Sequence, residues 1–298
     1  MLPVHHSLKT EKCIGLIAPA GFINKDQIEK SVALLEGKGF KIKLAPHLFG
    51  RFRFYSGSVR DRIADIHRFL EDPEVSILFA VRGGAGSSQL LTEINFRKWN
   101  NSKKLLVGFS DVTALQWALL KKTGLGSISG PTLISQFHEK NPYINLFLEM
   151  LTGKRVSIDC ADLETEKVRI VRNGTAKGVL IGGTLSIINT LLGTPYFPEL
   201  NEVVLFLEDV NEPIYKIERS LVQLKLAGFL NKVSGLILGK FLHNGDILNI
   251  WSEIEYLFPR NIPVVLDFPY GHFMEMCPLP VGVQGELETN PIRIRWKL

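Results

Sequence analysis

The sequence predicts an α/β fold, built from parallel strands and the helices that cover them. Short apolar runs alternate with segments whose apolar residues recur at helical spacing, from "CIGLIAP" near the start to "IPVVLDFPYG" near the end. This alternation is typical of β-α-β units, because two parallel strands need a long crossover, usually a helix, between them. At 298 residues, 45% of them hydrophobic, the chain is long enough for two such domains.

The first half of the chain contains four predicted strands. They lie at "CIGLIAP", "FKIKLAP", "VSILFAV" and "LLVGF", with helices near residues 26–37 and 58–71 and another directly after "LLVGF". From His138 to Lys177 the composition becomes polar and charged, around a helical "INLFLEML". We therefore predict an N-terminal α/β domain over residues 1–150 and a linker over 151–177.

A second set of elements follows, over residues 178–298. Strands are predicted at "GVLIGG", "EVVLFLED", "VSGLILGKF" and "IPVVLDFPYG", with helices at "LSIINTLL" and from about Pro213 to Ala227. The segment from Gly178 to Pro198 has no charged residue in 21 positions, but its internal glycines and Pro195 argue against a membrane span. These elements predict a second α/β domain.

Charge and cysteine content restrict the possible partners. The net charge is +5, yet no run of Lys or Arg exceeds two residues and no nucleic-acid motif is visible, so the charge indicates at most a mild preference for anionic ligands. Three cysteines form an odd set without paired spacing, and the N-terminus lacks the apolar stretch of a signal peptide. We expect a cytoplasmic protein that binds neither nucleic acid nor membrane.

Ser110 lies in the stretch "LLVGFSDVTALQWALL", at a short turn between a buried strand and a helix. Ligands bind at the carboxyl ends of strands in open α/β sheets, and a serine at such a turn exposes its hydroxyl there. Gly108 would relieve crowding at the turn. The other interpretation is a serine that only caps the helix, which is common.

Glu208 is the first charge after the apolar run Val203–Leu207, again at the carboxyl end of a predicted central strand. Asn211 and Pro213 supply the start signals of the next helix, so neither Glu208 nor Asp209 is needed as its cap. Glu208 could orient a histidine, or it could be a solvated strand end.

His272 lies in the loop of "VVLDFPYGHFMEMCPLPVG", and none of the other six histidines has such a setting. A loop histidine alone is more often structural than catalytic. Ser110, Glu208 and His272 together, however, form a set that hydrolases use: the histidine takes the serine proton, and the carboxylate fixes the imidazole and stabilises its charged form.

A glycine-rich segment, "VRGGAGSSQLL", follows the strand "VSILFA". Gly84 and Gly86 match part of a dinucleotide-binding motif, but Gln89 stands where its third glycine would be. An oxyanion hole fits better, formed by the backbone N–H groups of Gly84 and Asp111. No metal-ligand spacing such as H-E-x-x-H occurs, so we expect no metal and no cofactor.

Several motifs together resemble the LD-carboxypeptidase family, which includes the microcin C immunity peptidases. They are "IAPAG", "VRGGAGS", "VGFSDVTAL", "SGPTLISQF", "GGTLSIINTLLGTP", "LFLEDVNEPIYKIERSLVQL" and "FPYGH" followed by "LPVG", and they run over most of the chain. The resemblance implies an N-terminal, flavodoxin-like parallel-sheet domain joined to a C-terminal α/β domain, with the active site between them and a homodimer as the usual assembly.

The resemblance also assigns site residues and a reaction. It places the family's catalytic triad on Ser110, Glu208 and His272, and its oxyanion donors on Gly84 and Asp111. The implied reaction is the release of the terminal D-alanine from a cytoplasmic murein tetrapeptide, during peptidoglycan recycling. Met276 stands where many members of the family have Asn, four residues after the histidine, and we expect this change to affect the histidine-side pocket more than the triad.

Other functions stay open at this point. The same triad could serve an immunity-type amidase that cleaves aminoacyl-nucleotide conjugates, or the scaffold could belong to a noncatalytic binding protein. A general α/β-hydrolase is disfavoured because "GFSDV" lacks the second glycine of G-x-S-x-G. A cysteine peptidase that uses Cys277 is disfavoured because the sequence around it gives no activating context.

Overall fold

The computed structural model describes residue 2, residues 13–242 and residues 245–298. In these residues the strands are β1 (Cys13–Ile17), β2 (Lys41–Leu44), β3 (Val75–Ala80), β4 (Leu105–Gly108), β5 (Ser127–Ser129), β6 (Ser157–Asp159), β7 (Arg169–Arg172), β8 (Thr175–Thr184), β9 (Val203–Val210), β10 (Val233–Leu242), β11 (Val264–Leu266), β12 (Leu279–Val281), β13 (Val283–Thr289) and β14 (Ile292–Trp296). The helices are α1 (Glu29–Gly37), α2 (Val59–Glu71), α3 (Phe96–Ser102), α4 (Thr113–Thr123), α5 (Ile144–Leu151), α6 (Leu185–Thr190), α7 (Ile214–Leu226) and α8 (Ile247–Ile254).

The first sheet has the strand order β2-β1-β3-β4-β5-β12. Its first five strands are all parallel, and this order is that of the flavodoxin-like doubly wound fold. Strands β1, β3 and β4 are almost wholly buried, as expected for strands covered by helices on both faces. The predicted α/β class and the parallel N-terminal sheet are therefore confirmed.

The second sheet has the order β6-β14-β13-β8-β9-β10-β11-β7. Its central strands β8, β9, β10 and β11 are parallel, and antiparallel strands extend it on both sides. All strands and helices named in the sequence analysis are present. The sequence patterns did not indicate β5–β7, β12–β14, α3 or α8.

The two sheets are connected by more than the chain between them. Strand β12 comes from the second half of the sequence but pairs with β5 of the first sheet. In addition, the indole N–H of Trp117, on α4, donates to the carbonyl of Gly182, on β8, at 2.9 Å. Residues 151–177 contribute the edge strands β6 and β7 to the second sheet. The domain bounds 1–150, 151–177 and 178–298 stay a prediction.

Two further findings concern helix length and cysteines. Within the described ranges, no helix has both the length and the apolar character needed to cross a membrane. Cys13, Cys160 and Cys277 are free thiols.

Candidate active site

The carboxyl ends of strands from both sheets bring Ser110, His272 and Glu208 together. His272 Nε2 lies 2.9 Å from Ser110 Oγ, and His272 Nδ1 lies 2.7 Å from Glu208 Oε2. Both separations are hydrogen-bond distances. The three side chains, which are far apart in sequence, thus form one connected chain.

The backbone conformation of Ser110 explains why its hydroxyl is accessible. Its φ is 62°, in the left-handed region that is costly for a residue with a Cβ. Ser110 opens a short 3₁₀ turn before α4 and is not the cap of either helical segment, so the helix-capping interpretation is wrong. Gly108 does relieve crowding, but against Val112 Cγ1, which a Cβ at residue 108 would approach to 2.5 Å.

The glycine loop packs directly against this turn. A Cβ at Gly83 would lie 2.6 Å from Ser110 Cβ, so a side chain there has no room. Asp111 accepts a hydrogen bond from the backbone N–H of Ser87 at 2.7 Å, which ties the loop to the turn. Burial raises the pKa of the Asp111 carboxyl group. Gly84, with φ of 116°, lines the same cavity as Ser110, and the oxyanion roles of Gly84 and Asp111 stay predictions.

Glu208 is fully buried at the end of β9, so it is not a solvated strand end. Its second oxygen, Oε1, accepts a hydrogen bond from the hydroxyl of Thr184 at 2.6 Å. Thr184 is the register partner of Glu208 on the neighbouring parallel strand β8. With both oxygens bonded, the buried carboxylate has the partners that burial of a charge requires.

His272 is held by groups from both sheets. Gln136 donates from its side-chain nitrogen to the carbonyls of Gly271, at 2.9 Å, and Phe273, at 3.1 Å, and so fixes the backbone on both sides of the histidine. Burial is the largest single influence on the pKa of His272 and lowers it. The hydrogen bond and charge of Glu208, with the charge of Asp209, outweigh burial, so the pKa of His272 is raised.

Ser110 and His272 line a cavity of about 470 Å³. Its wall also includes Arg82, Gln136 and Met274. A larger cavity of about 1110 Å³ adjoins it and shares part of this lining, namely Ile134, Ser135 and Met274.

The expected effect of Met276 on the histidine-side pocket is not seen. The Met276 side chain is fully buried and does not line the cavity, whereas Met274 is exposed and does. The physical reason is that the loop turns between the two methionines, so that Met276 packs into the core.

Three site residues escaped the sequence analysis: Thr184, Gln136 and Arg82. Thr184 could have been found by the rule that located Glu208, since it is the polar residue that ends a buried strand. Gln136 contacts residues 135 and 137 positions away, and no local pattern indicates such contacts. Arg82 lies two residues before Gly84, to which one of the predicted oxyanion donors was assigned.

Among the described residues, His47, His67 and Cys277 do not form a second site of this kind. His47 pairs with Asp65 and His67 accepts from the backbone of Asn95, while His5, His6 and His243 lie outside the described residues. Burial raises the pKa of the Cys277 thiol, which opposes formation of a thiolate nucleophile. In the part of the chain that the structure describes, no group of three His, Cys, Asp or Glu side chains could hold a metal ion.

Comparison with known proteins gives consistent matches over nearly the whole chain. A model of the LD-carboxypeptidase N-terminal domain matches residues 14–130, and a model of the LD-carboxypeptidase C-terminal domain matches residues 177–287. A murein tetrapeptide carboxypeptidase from Pseudomonas aeruginosa is 30% identical, over 95% of this chain and 94% of the relative. The microcin C7 self-immunity protein of Escherichia coli is 31% identical, over 92% of this chain and 88% of that protein.

Solved structures show the same similarity. The crystal structure of muramoyltetrapeptide carboxypeptidase from Oxalobacter formigenes matches with a TM-score of 0.85 and 29% identity, covering 96% of this chain and 99% of that one. The chain therefore belongs to the LD-carboxypeptidase family and is a hydrolase with carboxypeptidase activity.

Proposed function

We propose that this enzyme is a serine carboxypeptidase with a Ser110–His272–Glu208 triad, which releases the terminal D-alanine from murein tetrapeptide. The observation that carries the proposal is the continuous hydrogen-bonded chain from Ser110 through His272 to the buried Glu208, open to a cavity at its serine end. A nucleophile, its base and the group that orients the base are thus within bonding distance of each other.

The geometry supports the usual two steps of acyl transfer. His272 Nε2 takes the proton of Ser110 as Oγ attacks the scissile carbonyl, while Nδ1–H donates to Glu208, which stabilises the imidazolium that forms. The backbone N–H groups of Gly84 and Asp111 would stabilise the oxyanion. His272 then gives its proton to the departing amine, and a water molecule activated by the same histidine hydrolyses the acyl-enzyme.

The substrate assignment rests on the relatives. The Pseudomonas aeruginosa protein is a murein tetrapeptide carboxypeptidase, and the Oxalobacter formigenes structure is a muramoyltetrapeptide carboxypeptidase. The net charge of +5 suits a peptide with several carboxylates, although screening beyond roughly 10 Å makes this a weak attraction. A cytoplasmic location, a role in peptidoglycan recycling and a homodimeric assembly belong to the same proposal.

The alternative is an immunity-type amidase that cleaves an aminoacyl-nucleotide conjugate. The observation that favours it is sequence identity: the chain is 31% identical to the microcin C7 self-immunity protein and 30% identical to the murein tetrapeptide carboxypeptidase. The triad would hydrolyse either amide by the same steps. The identity of the substrate that is cleaved therefore distinguishes the carboxypeptidase from the immunity-type amidase.

Mass spectrometry of the products tests the proposal. The enzyme is incubated with murein tetrapeptide, with its all-L counterpart and with an aminoacyl-nucleotide conjugate. We expect D-alanine to be released from the tetrapeptide, and the all-L peptide to be cut much more slowly, because buried polar groups of the site would lose their partners. Equal cleavage of the all-L peptide, or cleavage of the nucleotide conjugate alone, would contradict the assignment.

A further inference from the structure

Arg82 introduces a positive charge into the wall of the catalytic cavity. It follows β3 and immediately precedes Gly83, which packs against Ser110. Among the described residues that line this cavity, Arg82 is the one Arg or Lys, and no Asp or Glu accompanies it. The cavity therefore contains a guanidinium group with no carboxylate of the protein beside it.

The guanidinium group has unused donors. Nη1 donates to the carbonyl of Phe22 at 3.0 Å, whereas Nε is buried and has no hydrogen-bond partner among the described residues. Nη2 has no hydrogen-bond partner among the described residues either, and because Arg82 lines the cavity, a ligand bound there can supply acceptors to the guanidinium.

The neighbouring loop holds this group in place and leaves it room. A Cβ at Gly21 would lie 3.1 Å from Arg82 Nε, so a side chain there would crowd the guanidinium. The backbone N–H of Gly21 also donates to the carbonyl of Gly83 at 3.1 Å, which fixes the loop against the site. The guanidinium is therefore positioned before any ligand binds, which lowers the entropy lost on binding.

We infer that Arg82 binds the free terminal carboxylate of the residue that the enzyme removes. This inference rests on the proposed function, since a carboxypeptidase has to distinguish the end of a chain from its interior. A guanidinium fork matches a carboxylate and can form two parallel N–H···O bonds with it, which an ammonium group cannot do in the same geometry.

The positions of the two cavities indicate how a bound peptide would be oriented. The larger cavity meets the catalytic one at Ile134, Ser135 and Met274, and Arg82 is not part of that shared lining. The terminal carboxylate would therefore lie at Arg82, and the rest of the peptide would leave towards the larger cavity. Three lysines, Lys30, Lys38 and Lys140, line that cavity with one carboxylate, Glu139, and this excess of positive charge suits the carboxylates further along a murein peptide.

The test measures binding separately from turnover. In the Ser110→Ala protein, titration calorimetry compares a tetrapeptide that has a free terminal carboxylate with its terminal carboxamide. We expect the carboxylate form to bind about 10- to 100-fold more tightly, as is typical for hydrogen bonds to a charged group. Addition of Arg82→Gln should reduce this ratio to within about threefold, and Arg82→Lys should restore part of it.

Arg97→Ala is the matched control. Arg97 is exposed on α3 and lines neither cavity, and its substitution removes the same charge as Arg82→Gln. It should leave the carboxylate-to-carboxamide ratio unchanged. A ratio that persists in Arg82→Gln would overturn the inference, as would an equal loss for both peptides, which would point to a role at the oxyanion or in folding. If the ratio depends on Arg82 but the native enzyme releases no D-alanine, the proposed function fails and the carboxylate site stands.

Discussion

At the scale of single residues, Ser110 and His272 are expected to act as one unit. Ser110→Ala removes the nucleophile and His272→Ala removes its base, so each change alone should reduce kcat by about 10⁴-fold or more. Steady-state kinetics measures this effect. Thermal unfolding within a few degrees of the native protein serves as the control, and a serine-directed phosphonate should label Ser110 alone. Substantial turnover by either variant would contradict the triad.

Thr184 is expected to be a positioning residue for Glu208. Thr184→Val keeps the shape but removes the hydroxyl that donates to Glu208 Oε1, which leaves a buried carboxylate oxygen without that partner. We expect kcat to fall about 10- to 100-fold with little change in KM, because Glu208 is held less firmly in the position from which it orients His272. Thr184→Ser retains the donor and should recover most of the activity. Equal kcat values for the Val and Ser variants would exclude this role.

The pKa of His272 determines the acid side of the pH profile. The base must be neutral to accept a proton, and Glu208 raises the pKa of His272, so kcat/KM should increase with pH through an apparent pKa above the ordinary 6.5. Glu208→Gln removes the charge and leaves burial, which lowers the pKa. NMR titration of the His272 ring should therefore show a lower pKa in Glu208→Gln, and an unchanged value would contradict the electrostatic account.

At the scale of elements, the loop after β3 packs so closely against the turn after β4 that it requires a glycine at position 83. A Cβ at Gly83 would lie 2.6 Å from Ser110 Cβ and 2.9 Å from its Oγ, so Gly83→Ala displaces the nucleophile or the loop. A displacement of this kind should lower kcat about 100-fold and destabilise the fold by about 1–3 kcal/mol.

Gly37→Ala is the control for this substitution. Gly37 is the last residue of α1, and a Cβ there meets nothing within 4 Å. The activity of Gly37→Ala should match that of the native protein, and its unfolding temperature should equal or slightly exceed the native value. A Gly83→Ala enzyme with native kcat would show that the turn tolerates a side chain.

At the scale of the whole molecule, Asp209 links folding to pH. Burial, and then the charge of Glu208, raise the pKa of Asp209 from 3.8 to about 6. Between these values the folded state binds more protons than the unfolded state, so the free energy of unfolding decreases as pH rises through this window. The contribution is about 2–3 kcal/mol, and it is present below pH 4 and lost above pH 6.

Asp209→Asn should remove this part of the pH dependence. Denaturant unfolding of both proteins at several pH values between 4 and 7 gives the difference in slope, in which the titrating groups that do not interact with Asp209 cancel. Parallel curves for the two proteins would contradict the shifted pKa.

The parts of the molecule that the sequence predicts correctly are those with a local signal. Ser110, Glu208 and His272, which the structure brings within hydrogen-bond distance of one another, each follow an apolar run that is long enough to be recognised as a strand, and their catalytic roles stay predictions. Thr184 is the last residue of such a strand, but Gly182–Gly183 and the helical pattern after Thr184 make the end of the strand hard to recognise. Edge strands such as β7, with the sequence "RIVR" in a polar region, resemble a linker because neighbours supplied by tertiary contacts decide their conformation.

Contacts between residues that are far apart in the sequence are a second kind of feature that the sequence does not reveal. Gln136 holds the His272 loop, and Arg82 lies beside Gly21, because the topology places them together and not because of any spacing. The resemblance to a family indicates the chemistry, whereas the structure is needed to identify the side chains that support the predicted triad.

The pairing of β12 with β5 has a consequence for how this enzyme can be divided or evolve. The chain runs from β11 in the second sheet, through His272, to β12 in the first sheet, and returns to the second sheet at β13. A break within residues 151–177 would leave the first piece with an open sheet edge at β5, and the second with a strand whose pairing partner is on the other piece. The halves are therefore not interchangeable modules: recombination that exchanges one of them has to preserve this shared strand, which also anchors the loop that contains His272.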